Sequence, residues 1–136
     1  MNRSLLVTDA HPLLWYVKGQ LHKLPKKVIK AFEDAIEGNR AIFIPLVALW
    51  EISLAIKAGK VRLATSLDEY VKEQFFAKSI SVLLLEIEDV LLSQKLHFSN
   101  DPFDTLIVSM ALRMKAPLIT GDSVIHKQEP CEIFWD

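Results

Sequence analysis

Four carboxylates carry the chemistry this sequence could perform. Two of them close short apolar runs: Asp9 in "SLLVTDAH" (residues 4 to 11) and Asp122 in "APLITGD" (116 to 122). Glu51 is the one acid in the apolar stretch "LVALWEISLAIKAGK", and Asp104 lies in "SNDPFDTLIVSMALRMK". A strand made only for a core usually gives way to Gly or Asn, so carboxylates at two strand ends need a reason.

Brought together, these acids would repel one another, each pair near 4 Å costing roughly 1 to 4 kcal/mol between the bulk-water and protein-surface limits. Glu51, on an apolar helix face with no adjacent Lys or Arg, must be paired, protonated or metal-bound. A cation makes the cluster sensible. Oxygen-only ligands select a hard ion, Mg²⁺ or Mn²⁺, and open coordination positions suit a substrate that brings phosphate oxygens. The reaction class is phosphodiester cleavage, with an activated water as nucleophile.

Plainer roles exist for each residue taken singly. Asp9 alone reads as a helix N-cap, Asp104 alone as a charge placed for the helix dipole. Asp101 precedes Pro102 in a standard helix opening and stands outside the primary set. His11, His22, His97 and His126 lack paired metal spacing and read as structural or solvated. Trp15 and Trp50 read as core or interface. Lys23, Lys26, Lys27 and Lys30 form a solvated helix face or touch phosphates, with Lys57, Lys60 and Arg62 equal candidates for the latter.

The elements that must position these residues alternate. With 136 residues the chain is expected to form a single domain, 1–136. Buried strands are predicted at 5–7, 41–44, 80–86 and 117–120, with a short final strand in "EIFWD". Helices are predicted from His11, over 25–39 with Val28, Ile29, Phe32 and Ile36 inward, over 46–58 stopped at Gly59, over 66–79, after Glu86, and from Pro102. Strands apolar on both faces and separated by helices argue for a parallel sheet covered on both sides. In such a sheet, residues just past the strands line the ligand crevice, where Asp9 and Asp122 fall.

Sixteen basic against seventeen acidic residues give a net charge of −1, so any nucleic-acid contact must be local. The single Cys131 forms no internal disulfide and has no zinc-like spacing. The run "AIFIPLVALW" contains Pro45 and is too short to span a bilayer, and a cytoplasmic, soluble chain is expected. Hydrophobic residues make up 51% of the chain, which suggests an apolar surface for a partner.

The blocks "LLVTDAHPLLWYV", "LWEISLAIKAGKV" and "DPFDTLIVSMALRMKAPLITGD" resemble, in order and separation, the PIN-domain ribonucleases, specifically the toxins of VapBC-type toxin–antitoxin pairs. The resemblance implies a three-layer α/β/α domain with a central, mostly parallel sheet of four to five strands. It implies an Mg²⁺-dependent endoribonuclease with Asp9, Glu51, Asp104 and Asp122 as the metal-site acids, Thr120 as a supporting hydroxyl and Asp101 as a fifth acid. It further implies an RNA substrate, a small cognate antitoxin and a homodimer. Ala10 stands where the family usually has Thr, Thr105 where many members have Arg, and Ala55 where many have Lys. Those departures keep open a catalytically inactive PIN scaffold that only binds a partner. A receiver-like signalling domain, also acidic at strand ends, is a weaker rival because no mid-chain strand ends in a phosphoacceptor Asp.

Overall fold

Strand order, more than strand number, fixes where the acids meet. The computed structural model describes residues 5–73 and 80–136. Its elements run β1 (Leu5–Thr8), α1 (Ala10–Val17), a tight helical turn (Leu21–Lys23), α2 (Lys26–Ile36), β2 (Ala41–Pro45), α3 (Leu46–Lys57), α4 (Leu67–Val71), β3 (Ile80–Leu83), α5 (Ile87–Ser93), α6 (Pro102–Met114), β4 (Leu118–Ile119), α7 (Ser123–Gln128) and β5 (Ile133–Phe134). The five strands form one sheet in the order β3-β2-β1-β4-β5, and every pairing is parallel. A receiver-like domain of flavodoxin type orders its strands 2-1-3-4-5, so that rival is ruled out by topology.

The parallel arrangement follows from strands that are apolar on both faces. Leu6, Val7, Ile42, Ile44, Leu118 and Ile119 are all at most 1% exposed. Burying each large side chain stabilises the fold by roughly 1.5–3 kcal/mol relative to leaving it in water. Helices then supply the covering layers: Val28, Ala31, Phe32 and Ala35 of α2, Val47, Ala48 and Ile52 of α3, and Ile107, Val108, Met110 and Ala111 of α6 are buried. Ile36, expected inward, is exposed at the end of α2, one residue before the helix gives way at Glu37.

Helix boundaries obey local chemistry. Asp101 caps α6, its carboxylate accepting from the amides of Phe103 (2.8 Å) and Asp104 (3.3 Å), with Pro102 at the first position. Gly59, at φ +75°, takes the left-handed conformation that ends α3 without a side-chain penalty. Pro45, expected to end the β2 ladder, remains in register with Leu83 of β3.

Three further sequence expectations shift. β3 stops at Leu83 rather than at residue 86, because Glu86 and Asp89 form a reciprocal capping box that opens α5. The helix expected over 66–79 is capped by the Ser66 hydroxyl, which accepts from the Glu69 amide; its residues 74–79 lie outside the described residues. α7 has no counterpart in the sequence reading, since one buried Ile125 in six residues leaves no periodic trace.

Candidate active site at the carboxyl edge

Asp9 and Asp122 leave β1 and β4, adjacent strands, on the same edge of the sheet. Each also caps the helix it opens. Asp9 precedes α1 and accepts from the Ala10 amide at 2.8 Å; Asp122 precedes α7 and accepts from the amides of Val124 (2.9 Å) and Ile125 (3.0 Å). Capping and site placement are thus served by the same residues.

Thr120, fully buried, joins the two. Its hydroxyl donates to Asp9 Oδ2 at 2.9 Å and accepts from the Asp122 amide at 3.1 Å. His126 holds Thr120 from behind, its Nε2 lying 2.6 Å from the Thr120 carbonyl oxygen and its ring edge-on to Trp135. Nothing in the spacing of His126 pointed to this position. Gly121 between the two is packed on Trp135 so closely that a Cβ would come within 2.9 Å of the indole.

Glu51 reaches the same edge from α3 and Asp104 from the first turn of α6, two helices that pack on each other. Asp9, Glu51, Asp101, Asp104 and Asp122 line one cavity of about 340 Å³, together with His11, Trp15 and Gly121. All four acids of the primary set, and the fifth, are therefore brought together. Asp101 is exposed and spends an oxygen on capping, in keeping with its plainer reading. Of the two tryptophans, Trp15 borders the cavity while Trp50, 57% exposed, packs on Phe103 with ring centroids 5.4 Å apart, so Trp50 is not a core residue.

Crowding marks the electrostatics. Glu51 is pushed up to about 7, first by partial burial and then by Asp9, Asp101, Asp104 and Asp122. Asp104 is likewise pushed up to about 7, first by burial and then by Asp122, Asp101 and Asp9, against a hydrogen bond with Ser99. Asp9 is also raised, burial outweighing the bonds from Ala10 and Thr120. Among the described residues no ion pair involves Glu51 or Asp104.

Tested against a metal, the donor set is all carboxylate, the chemistry that a hard divalent ion such as Mg²⁺ or Mn²⁺ takes. Among the described residues, however, no three His, Cys, Asp or Glu side chains close on a common point as a ready-made chelate.

A model of the PIN domain family matches residues 6–129. No curated protein matches the chain. Among solved structures it is similar to VapBC2 from Rickettsia felis bound to a DNA fragment from its promoter, at 14% identity and a TM-score of 0.69, covering 97% of this chain and 99% of that one. It is also similar to a toxin–antitoxin complex from Klebsiella pneumoniae, at 15% identity and a TM-score of 0.56, covering 94% and 99%. At these identities the likeness is one of fold.

Proposed function

The chain belongs to the PIN domain family, and from that membership we propose that it is a metal-dependent endoribonuclease, the toxin of a toxin–antitoxin pair. One observation carries the reading: Asp9, Glu51, Asp104 and Asp122, positioned by β1, α3, α6 and β4, share a cavity, and two of them are pushed up to about 7 while among the described residues no ion pair involves either. Structural acids are paired; acids kept unpaired in a cleft are functional candidates.

Asp9, Glu51, Asp104 and Asp122 would hold Mg²⁺ or Mn²⁺. When bound, such an ion supplies an acidic water and offsets charge developing on the phosphate oxygens. The protein's own part is positional. Thr120 fixes Asp9 and the Asp122 backbone relative to each other, and the caps on α1 and α7 hold both carboxylates at the rim. Glu51 and Asp104, pushed up to about 7 by burial and by the neighbouring acids, would be brought to their charged form by a bound cation, the form in which they hold it.

The Rickettsia felis and Klebsiella pneumoniae structures are both toxin–antitoxin assemblies, which supports a protein partner for this chain. Exposed Leu84, Ile87, Val90 and Leu91 around α5, and Leu46, Trp50 and Leu54 along α3, supply apolar surface for an antitoxin or a second copy. Among the described residues no helix is long and apolar enough to cross a membrane.

The test is cleavage of single-stranded RNA by the purified chain with Mg²⁺, with EDTA, and in Asp104→Asn. Cleavage that requires Mg²⁺ and is lost in the variant is expected. No Mg²⁺-dependent cleavage, together with no thermal shift on Mg²⁺ addition, would establish the inactive scaffold instead.

A further inference from the structure

The acids occupy one rim, and six cations, Lys23, Lys26, Lys27, Lys30, Arg40 and Lys115, lie along a path that leaves it. Lys23 closes the tight turn after α1 with its ammonium 5.5 Å from the centroid of Trp15, and Trp15 lines the acidic cavity. Three residues later α2 opens with Lys26 and Lys27 in its first turn and Lys30 just beyond, no acid there, and no side chain capping its amino end. Cations at that end oppose the helix dipole, so the arrangement costs the helix stability that acids at the same positions would supply. Lys30 is partly answered by Asp34 at 2.9 Å.

Farther along, Lys27 Nζ stands 4.5 Å and the Arg40 guanidinium 5.4 Å from the centroid of Phe134 in β5. Those three residues line two adjoining depressions of about 650 and 700 Å³. Lys115 joins the second, beside Glu132. Arg40 precedes β2 and Lys115 precedes β4, so this end of the path lies at the amino edge of the sheet, opposite the acids.

We propose that the path from Trp15 and Lys23 along α2 to the Phe134 depressions binds the backbone of a single-stranded RNA extending from the acidic cavity, with a base stacked on Phe134. The proposal rests on the ribonuclease reading and adds to it where the substrate runs. Spaced cations tracking phosphates beside an aromatic face are what sequence-tolerant binding of single strands requires. Lys23 lies against Trp15, itself a wall of the acidic cavity, so the row of cations begins beside the site, which favours RNA over an acidic protein segment.

Binding of a fluorescent single-stranded RNA is measured by anisotropy against salt, in an Asp104→Asn background that stops turnover. Lys26→Gln/Lys27→Gln/Lys115→Gln is expected to weaken binding about tenfold and to lower the slope of log affinity against log salt by about 2, one counterion fraction of roughly 0.7 per lost contact. Phe134→Leu is expected to weaken binding by about tenfold with the slope unchanged, the scale of one lost stack. With Asp104 intact, the triple variant should raise KM for a long RNA, leave kcat as it was, and cleave a trinucleotide at the wild-type rate. Melting temperatures establish that the glutamine variants fold.

Unchanged affinity and slope in the triple variant, with wild-type protein binding RNA, overturn the path while leaving the nuclease intact. Loss of affinity for a protein partner with RNA binding unaltered assigns the surface to that partner and likewise overturns it. A wild-type chain that neither binds nor cuts RNA sinks the ribonuclease reading itself, an outcome recognisable before any variant is made.

Discussion

Two places in this molecule bury carboxylates, and they treat them in opposite ways. Under α5, Asp89 is fully buried, accepts from Arg113 Nε at 2.7 Å and from the Glu86 amide at 2.9 Å, while Arg113 also reaches Glu86 at 3.6 Å and donates to the Leu84 carbonyl. At the carboxyl edge, Glu51 and Asp104 are half-buried among other acids and are pushed up to about 7. The chain can pair a buried acid when pairing serves the fold, so leaving others unpaired a few elements away marks a place kept for something else. Asp89 sets a structural standard against which the cavity stands out.

The largest effect should come from removing the cation on the structural side. Arg113→Met leaves Asp89 buried without its partner, and truncating one member of a buried pair costs about 3 to 5 kcal/mol. Urea denaturation reads this as a lowered midpoint with the slope retained. A loss under 1 kcal/mol would mean that Asp89 is as tolerant of isolation as the cavity acids, and the contrast would disappear. RNA cleavage per folded molecule should be unaltered.

Next in size is Thr120→Val, which strips the donor from Asp9 Oδ2 and the acceptor from the Asp122 amide at nearly constant volume. Leaving a buried acceptor unsatisfied costs about 1 to 3 kcal/mol, and here it also raises Asp9 further by removing a bond that favours its charged form. Stability and cleavage should fall together, whereas in Arg113→Met only stability falls. Thr120→Ser should restore both.

Much of this was legible before the structure. Runs such as "AIFI" are apolar at every position, and that continuity is the signature of a strand buried on both faces in a parallel sheet. Asp9 and Asp122 stood out because each carboxylate follows such a run. What escaped reading depends on contacts between distant segments or on elements too short to show a period. Asp89 and Arg113 are 24 residues apart and meet only because α5 folds back on α6. His126 lies in the six-residue α7, and the α2 lysines have the pattern of any solvated face, with only the fold bringing Phe134 of the distant β5 beneath Lys27. Trp50 was read as core or interface, and composition cannot tell an inward indole from an exposed one.

The smallest effect is the one that isolates repulsion in the cavity. Asp9 accepts hydrogen bonds from Ala10 and Thr120, so Asp9→Asn would trade relief of repulsion against a disturbed bond. Among the described residues no hydrogen bond to the Glu51 side chain opposes such relief, and its carboxyl is raised from 4.5 to about 7. The unfolded chain releases that proton near 4.5 and the folded chain near 7, so between these values the native state binds more protons and stability falls as pH rises. Metal-free protein should therefore lose stability as the pH rises from about 4.5 through 7, with Asp104 adding in the same direction over 3.8 to about 7. Solvent screening of half-exposed side chains holds the Glu51 share to about 1 kcal/mol. Metal-free Glu51→Gln should recover that amount at pH 8 and show a flatter melting temperature between pH 5 and 8, and with Mg²⁺ added it should cut no RNA. If Glu51→Gln melts lower than wild type at pH 8, the Glu51 carboxylate is satisfied in the native state as Asp89 is, and the cavity loses its claim to hold acids in reserve for a cation.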